Sequence, residues 1–183
     1  MAKIHEIDGL KFYELASQEQ LLKAVKSLAG KVAADYESCK KVVILTVLEG
    51  GRCFTDALLD ELGDAKFEQV TVKASSYAGG TTSSGLVRFE GLMQLNLLGC
   101  DVLIVDDVYD TGSTLANLIF KISSFCPRSV KVAVMFDKNR QHDKKVKIDY
   151  IGMQVPDAFL VGFGLDYQEK YRDLPFLADL VLE

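Results

Sequence analysis

A chain of 183 residues, 49% hydrophobic and 26% charged, has the material for one ordered core beneath a charged surface, and its length favours a single domain over two. The formal charge of -5 excludes a broad basic footprint for nucleic acid but leaves local anion sites open. Cys39, Cys53, Cys100 and Cys126 lack zinc-ligand spacing and read as reduced thiols, and neither a signal-peptide pattern nor an apolar run of transmembrane length is present; the expectation is a cytoplasmic protein without membrane contact.

In chain order, Ser17 can cap a helix while Gln20 completes a capping box. Leu21, Leu22, Val25, Leu28, Ala29, Val32 and Tyr36 then place apolar groups on one helical side. Val42 through Leu48 is a β-prone apolar run, and Cys53 through Leu62 resumes helical spacing, which makes a strand-to-helix crossing. Phe67 through Ser75 supplies another strand before Ser76 and Tyr77 lead into AGGTTSSG. Rich in glycine and hydroxyl residues, 75–85 reads as a mobile loop able to cover a ligand; an ordinary solvent hairpin fits its composition equally. Val87 and Phe89 alternate in a short element after it. Val102 through Asp107 begins as a buried parallel strand and ends in carboxylates, Gly112 through Phe125 follows as a helix, and Val130 through Phe136 is a further strand. This alternation predicts an α/β fold with a mostly parallel sheet, whose ligands bind beyond the carboxyl ends of the strands.

The sharpest chemical signal is VLIVDDVYDTGST, Val102 through Thr114. Thr111, Gly112, Ser113 and Thr114 offer small side chains and accessible backbone N–H groups to surround a terminal phosphate, at a helix start whose positive end favours an anion. Any side chain at Gly112 would obstruct that approach. Three acids beside a phosphate repel it unless a cation or a hydroxyl-bearing group intervenes, so Asp106 and Asp107 suit ribose hydroxyls together with a hydrated Mg2+.

Together with SSY at Ser75 through Tyr77, the pair Asp137–Lys138 and the string VPDAFLVGFGLDYQEKYRDLP, this motif resembles the type I phosphoribosyltransferases, and more narrowly their hypoxanthine/guanine purine-salvage branch. The resemblance covers nearly the whole chain. It implies one α/β domain, 1–183, with a mostly parallel central sheet flanked by helices and a small base-binding hood contributed mainly by 150–183. It also implies phosphoribosyl pyrophosphate and an oxopurine base as substrates, Mg2+ as cofactor, a homodimer or homotetramer, and no nucleic-acid partner. By the same resemblance Asp106 and Asp107 hold the ribose, and Asp110 lies near N7 of the base as general base. Thr111 through Thr114 bind the 5'-phosphate, and Ser76 and Tyr77 stand at the root of the mobile loop. Lys138 donates to the 6-oxo group, Phe159 stacks over the base, Leu160 recognises its edge through backbone, and Arg172 contacts pyrophosphate. Asp166 joins Asp106 and Asp107 as a metal-site carboxylate.

One departure stands out. The branch often presents Leu-Lys-Gly after the first core strand, where this chain has Leu48, Glu49, Gly50 and Gly51. Glu49 aimed at a diphosphate would weaken binding unless it met Mg2+ or a remote cation, whereas Gly50 and its neighbours can bind through backbone N–H groups. Two other readings share the fold: a xanthine-preferring transferase, and a nucleotide-responsive RNA-binding regulator without activity, against which the acid at Asp110 argues. His142, amid Arg140, Lys144, Lys145 and Lys147, reads as part of a solvent-facing basic loop, and His5 lacks companions for catalysis.

Overall fold

The strand Val42–Leu48 (β3) carries branched or large apolar side chains at nearly every position, and only its last residue escapes full burial. A strand covered on both faces belongs inside a parallel sheet. In the computed structural model, which describes residues 3–76 and 87–181, β3 lies between β4 (Phe67–Ser76) and β6 (Asp101–Tyr109), parallel to both. β7 (Ser129–Lys138) and β8 (Tyr150–Val155) extend the sheet in parallel, and β5 (Val87–Glu90) closes the other edge antiparallel to β4. Residues 77–85 of the expected mobile loop, Tyr77 included, lie outside the described residues; Ser75 and Ser76 end β4.

The period of two along β6 sorts its side chains between two cores. Leu103 and Val105 face helices α1 (Gln18–Asp35) and α2 (Gly51–Leu62), meeting a cluster that contains Leu21, Val25, Phe54 and Leu58. Val102 and Ile104 face helix α3 (Ser113–Ser123) and pack with Leu115, Leu118 and Ile122. The capping box of α1 forms as the sequence indicates: Gln20 N–H donates to Ser17 Oγ at 3.4 Å, and Ser17 N–H to Gln20 Oε1 at 2.9 Å. Buried Thr55 donates to Gly51 O at 2.8 Å and accepts from Thr46 of β3 at 3.1 Å, which ties the first turn of α2 to the sheet.

A second, antiparallel sheet has the order β1 (Ile4–Ile7), β2 (Leu10–Ala16), β10 (Leu177–Leu180), β9 (Leu160–Val161). Its own core is Phe12, Val161, Phe176, Ala178 and Leu180. His5 stacks on Phe176 with centroids 4.0 Å apart and meets Glu14 at 2.6 Å, a structural role far from any nucleophile. The turn after β9 reaches back to the main sheet: Gly164 packs so tightly on the carbonyl of Gly50 that a Cβ would overlap it. Among the described residues no helix is long and apolar enough to cross a membrane.

At the end of the sheet away from these turns, Asp101 is 4% exposed and is held by Arg128 through Nε at 3.0 Å and through Nη2, with Ser129 Oγ donating at 2.7 Å. The Arg128 hydrogen bond outweighs the effect of burial and holds the Asp101 carboxyl below the usual carboxylate range. A depressed folded pKa stabilises the protein above the unfolded value, about 3.9, and that stabilisation is lost as pH falls. Asp101→Asn is therefore expected to cost about 1.5 kcal/mol at pH 7, the low end for a charged hydrogen bond because Arg128 is largely exposed. Urea unfolding should show the gap to wild type narrowing as the pH is lowered below about 4; an equal gap at pH 7 and pH 3 would refute this account.

Candidate active site

Beyond the carboxyl ends of β3 and β6, with Ala74 of β4, lies a cleft of about 240 Å³ lined by Leu48, Gly50, Asp106, Asp107, Asp110 and Thr111, among others. Its floor is acidic. Asp106 is 6% exposed, and burial, followed by repulsion from Asp107, pushes its carboxyl well above the usual range. Burial also raises Asp107, against hydrogen bonds from Asp106 and the backbone and the field of Arg172. The pair is fixed by local backbone: Asp107 N–H donates to Asp106 Oδ1 at 3.0 Å, and Val108 N–H to Asp107 Oδ1 at 2.7 Å. The Asp107 carboxylate occupies the space a side chain would need at Gly50, so a larger residue in the loop after β3 would have to displace that carboxylate.

Beyond the pair the chain turns through Gly112, whose φ of 82° is open to glycine at little cost, and α3 begins at Ser113. No side chain among the described residues caps this helix; Ser113 N–H donates to Thr111 Oγ1 at 3.3 Å. An uncapped N-terminus facing a cleft has the geometry of an anion site. Thr111, Gly112 and Thr114 line that cleft, as the motif implies.

In the basic segment 140–147 the side chains of Arg140, Lys144, Lys145 and Lys147 are exposed, as expected of a solvent-facing loop, while its backbone and His142 make contacts inward. The segment crosses the phosphate loop as a strap: Lys144 N–H donates to Thr111 O at 2.9 Å, Tyr109 Oη donates to Lys144 O at 2.9 Å, and Val146 N–H donates to Tyr109 Oη at 3.0 Å. His142 stacks on Tyr109 at 3.8 Å, with Nδ1 against the Asp110 carbonyl and Nε2 3.2 Å from Asp137. What the sequence cannot show is that Tyr109, one residue before Asp110, offers this segment a hydroxyl and a ring face.

Asp110 lies between two cations, Lys138 Nζ at 3.2 Å from Oδ2 and Arg140 Nη1 at 3.0 Å from Oδ1. Asp157 stands farther from the same pair, 3.8 Å from Lys138 and 3.6 Å from Arg140. Arg140 and Asp157 had no sequence signal of their own, although Asp157 sits inside the quoted carboxy-terminal string. Across the cleft, Arg172 donates to Gly164 O at 2.8 Å and pairs with Asp166 at 2.6 Å, so Asp166 faces an arginine. Among the described residues no three acids, histidines or cysteines form a ready-made metal cage. Glu49 pairs with Arg52 at 3.6 Å. Phe159 is exposed on the rim, edge-on to Tyr167, next to buried Leu160. Ser76 is the last residue of β4, two residues after the cleft-lining Ala74.

The phosphoribosyl transferase domain family matches residues 13–168. The chain belongs to that family. It is 35% identical over 176 residues to the hypoxanthine-guanine phosphoribosyltransferase of Bacillus subtilis, covering 96% of this chain and 94% of the relative. It is 39% identical to that of Streptococcus agalactiae over 91% of each. It also spans 25% of the bifunctional protein TilS/HprT of Listeria innocua at 36% identity. Among solved structures, a hypoxanthine phosphoribosyltransferase from Staphylococcus aureus superposes with TM-score 0.85 at 31% identity, covering 92% of this chain and 90% of that one. One from Trypanosoma cruzi gives 0.88 at 31%, covering 97% and 94%. The type I phosphoribosyltransferase fold read from the sequence is thus the fold observed.

Within this phosphoribosyltransferase fold, Gly112 carries two constraints at once: positive φ, and backbone contact with Lys144 O that a Cβ would penetrate. Gly112→Ala is expected to destabilise the protein by about 2 to 4 kcal/mol, combining a left-handed residue with overpacking. Urea unfolding measures it, and a loss under about 0.5 kcal/mol, the ordinary surface range, would mean that the strap yields freely.

Proposed function

We propose that the protein transfers the 5-phosphoribosyl group from phosphoribosyl pyrophosphate to hypoxanthine or guanine, forming the purine 5'-mononucleotide and pyrophosphate. The observation that carries this reading is the meeting, in one cleft, of an unpaired buried acid pair, an uncapped helix start and the Asp110–Lys138 pair. Each suits one part of the reaction: ribose, 5'-phosphate and base. The relatives' names support the substrate class.

Backbone N–H groups at Thr111 through Thr114 bind the 5'-phosphate, and Asp106 and Asp107 accept from ribose hydroxyls. As the bond to pyrophosphate lengthens, positive charge grows on the anomeric centre, and these carboxylates stabilise it. Arg172, beside Gly50 through Gly164, lies where it can meet the departing diphosphate. Lys138 leaves Asp110 for the 6-oxo group of the base, and Asp110 receives the N7 proton as the base nitrogen attacks. Phe159 and the second sheet form the hood over the base. Self-association as a homodimer or homotetramer belongs to the same proposal.

The acid pair also fits a divalent cation. No described lysine or arginine forms an ion pair with Asp106 or Asp107, and burial raises both carboxyls, so a cation bound beside them would favour their ionised form. Mg2+ would be held on Asp106 and Asp107, with Asp166 joining on release from Arg172. When bound it supplies neutralisation of the leaving diphosphate.

Turnover is expected to require both substrates and Mg2+. Purified protein, exhaustively dechelated of metal and offered a panel of bases, should form no nucleotide until Mg2+ is restored. Metal-independent turnover would reject the cation assignment, and faster product formation with xanthine would move the specificity to that base. Asp110→Asn removes the base but keeps its size, so its single-turnover rate should fall by about 100-fold. A wild-type rate in that assay would remove Asp110 from the chemistry while leaving the phosphate site intact.

A further inference from the structure

We propose that Arg140 is a positioning residue for Asp110: it holds one carboxylate oxygen so that the other is presented to the N7 proton. This rests on the reading of Asp110 as the general base. The two cations that meet Asp110 divide its oxygens between them, Arg140 taking Oδ1 at 3.0 Å and Lys138 taking Oδ2 at 3.2 Å. When Lys138 turns to the 6-oxo group, Oδ2 is released and Oδ1 is still held. A carboxylate on a short side chain with one oxygen fixed has lost the rotation that would otherwise spread Oδ2 over many orientations.

The backbone around Arg140 is built for that task. Asn139 N–H donates to Val155 O at 2.8 Å, continuing the pairing of β7 with β8, and Arg140 N–H turns back to Lys138 O at 2.8 Å. Two residues on, His142 presses its Nδ1 to the Asp110 carbonyl and its ring to Tyr109. The strap thus grips Asp110 by its side chain through Arg140 and by its main chain through His142, two residues later. Asp157, 3.6 Å from Arg140, is too distant to compete with Asp110 for the close contact, and it balances the second positive charge.

Arg140 is 33% exposed and Asp110 is 37% exposed on their side chains, so the ion pair itself adds little to stability, about 0 to 1 kcal/mol. Arg140→Ala should therefore fold, and its effect should fall on chemistry. In single-turnover assays of the full chain with saturating phosphoribosyl pyrophosphate, Mg2+ and hypoxanthine, the rate is expected to drop about 10- to 100-fold. The KM for the activated sugar should change by less than about 2-fold, because an interaction made for the chemical step leaves ground-state binding alone. Arg140→Lys should recover part of the rate. Guanidinium added at millimolar concentration should partly rescue Arg140→Ala but not Asp110→Asn, since the position is open to solvent. In an Asp110→Asn background, Arg140→Ala should add almost nothing further. If Arg140→Ala keeps the wild-type rate while Asp110→Asn is slow, Arg140 has no positioning role and the reading of Asp110 survives. If both keep the wild-type rate, the general-base reading and this inference fall together. A slow Arg140→Ala that is additive with Asp110→Asn and resists rescue would also overturn it, placing Arg140 on another part of the reaction.

Discussion

Two adjacent carboxylates, Asp106 and Asp107, end a strand that is otherwise sealed between helices. Placing like charges side by side out of water is unfavourable, and both groups respond with raised pKa values. The surrounding architecture keeps them there. Gly50 lets the Asp107 carboxylate lie across the loop after β3, and the contact of Gly51 with Val105 O, 3.1 Å from where a Cβ would stand, brings α2 directly against β6. Gly164 brings the second sheet onto the same loop. Among the described ion pairs neither Asp106 nor Asp107 has a cation of its own, unlike the acids around them.

That contrast runs through the whole cleft. Asp110 and Asp157 are met by Lys138 and Arg140, Asp166 by Arg172, and Glu49 by Arg52. All of these acids are at least partly exposed, so their ion pairs can exchange partners at modest cost. Buried Asp106 and half-buried Asp107 have no such partner among the described ion pairs. The protein thus distributes its charges in two tiers: a fixed acidic floor, and a rim of exchangeable pairs whose cations are free to turn to a phosphate or a base oxygen. Two of the rim cations, Lys138 and Arg172, are those the family resemblance assigns to substrate, and in the free protein both are parked on carboxylates.

The parallel sheet and the phosphate loop were legible because their determinants are local. Val42–Leu48 can only be a buried strand, Ser17 and Gln20 carry their cap within four residues, and DTGST needs no distant partner to define its turn. The second sheet was not legible in the same way. It joins a hairpin at 4–16 to strands at 160–180, and its short segments have no helical or long alternating period, so the pairing exists only once the chain has folded. The strap's contacts were hidden for a related reason: its lysines and Arg140 are exposed as their composition suggests, but His142 and the Lys144 carbonyl meet Tyr109, thirty-odd positions earlier, only once the chain has folded. Strand β6 also runs two residues past the acid pair, to Tyr109.

The glutamate that departs from the family pattern at position 49 is answered by the same logic of exchangeable pairs. The loop 48–51 carries one negative charge, and Arg52, in the first turn of α2, sits 3.6 Å from it, so the segment is neutral as a unit. Both side chains are well exposed, at 59% for Arg52 and 42% for Glu49, and water screens their attraction. Neither is therefore committed to the other. A polyanion arriving at the loop would meet a guanidinium free to swing towards it and a carboxylate free to swing away, while the backbone of Gly50 and Gly51 remains fixed by Asp107, Gly164 and Thr55. The remote cation that Glu49 requires is thus one helical turn away, supplied by the helix rather than by the loop.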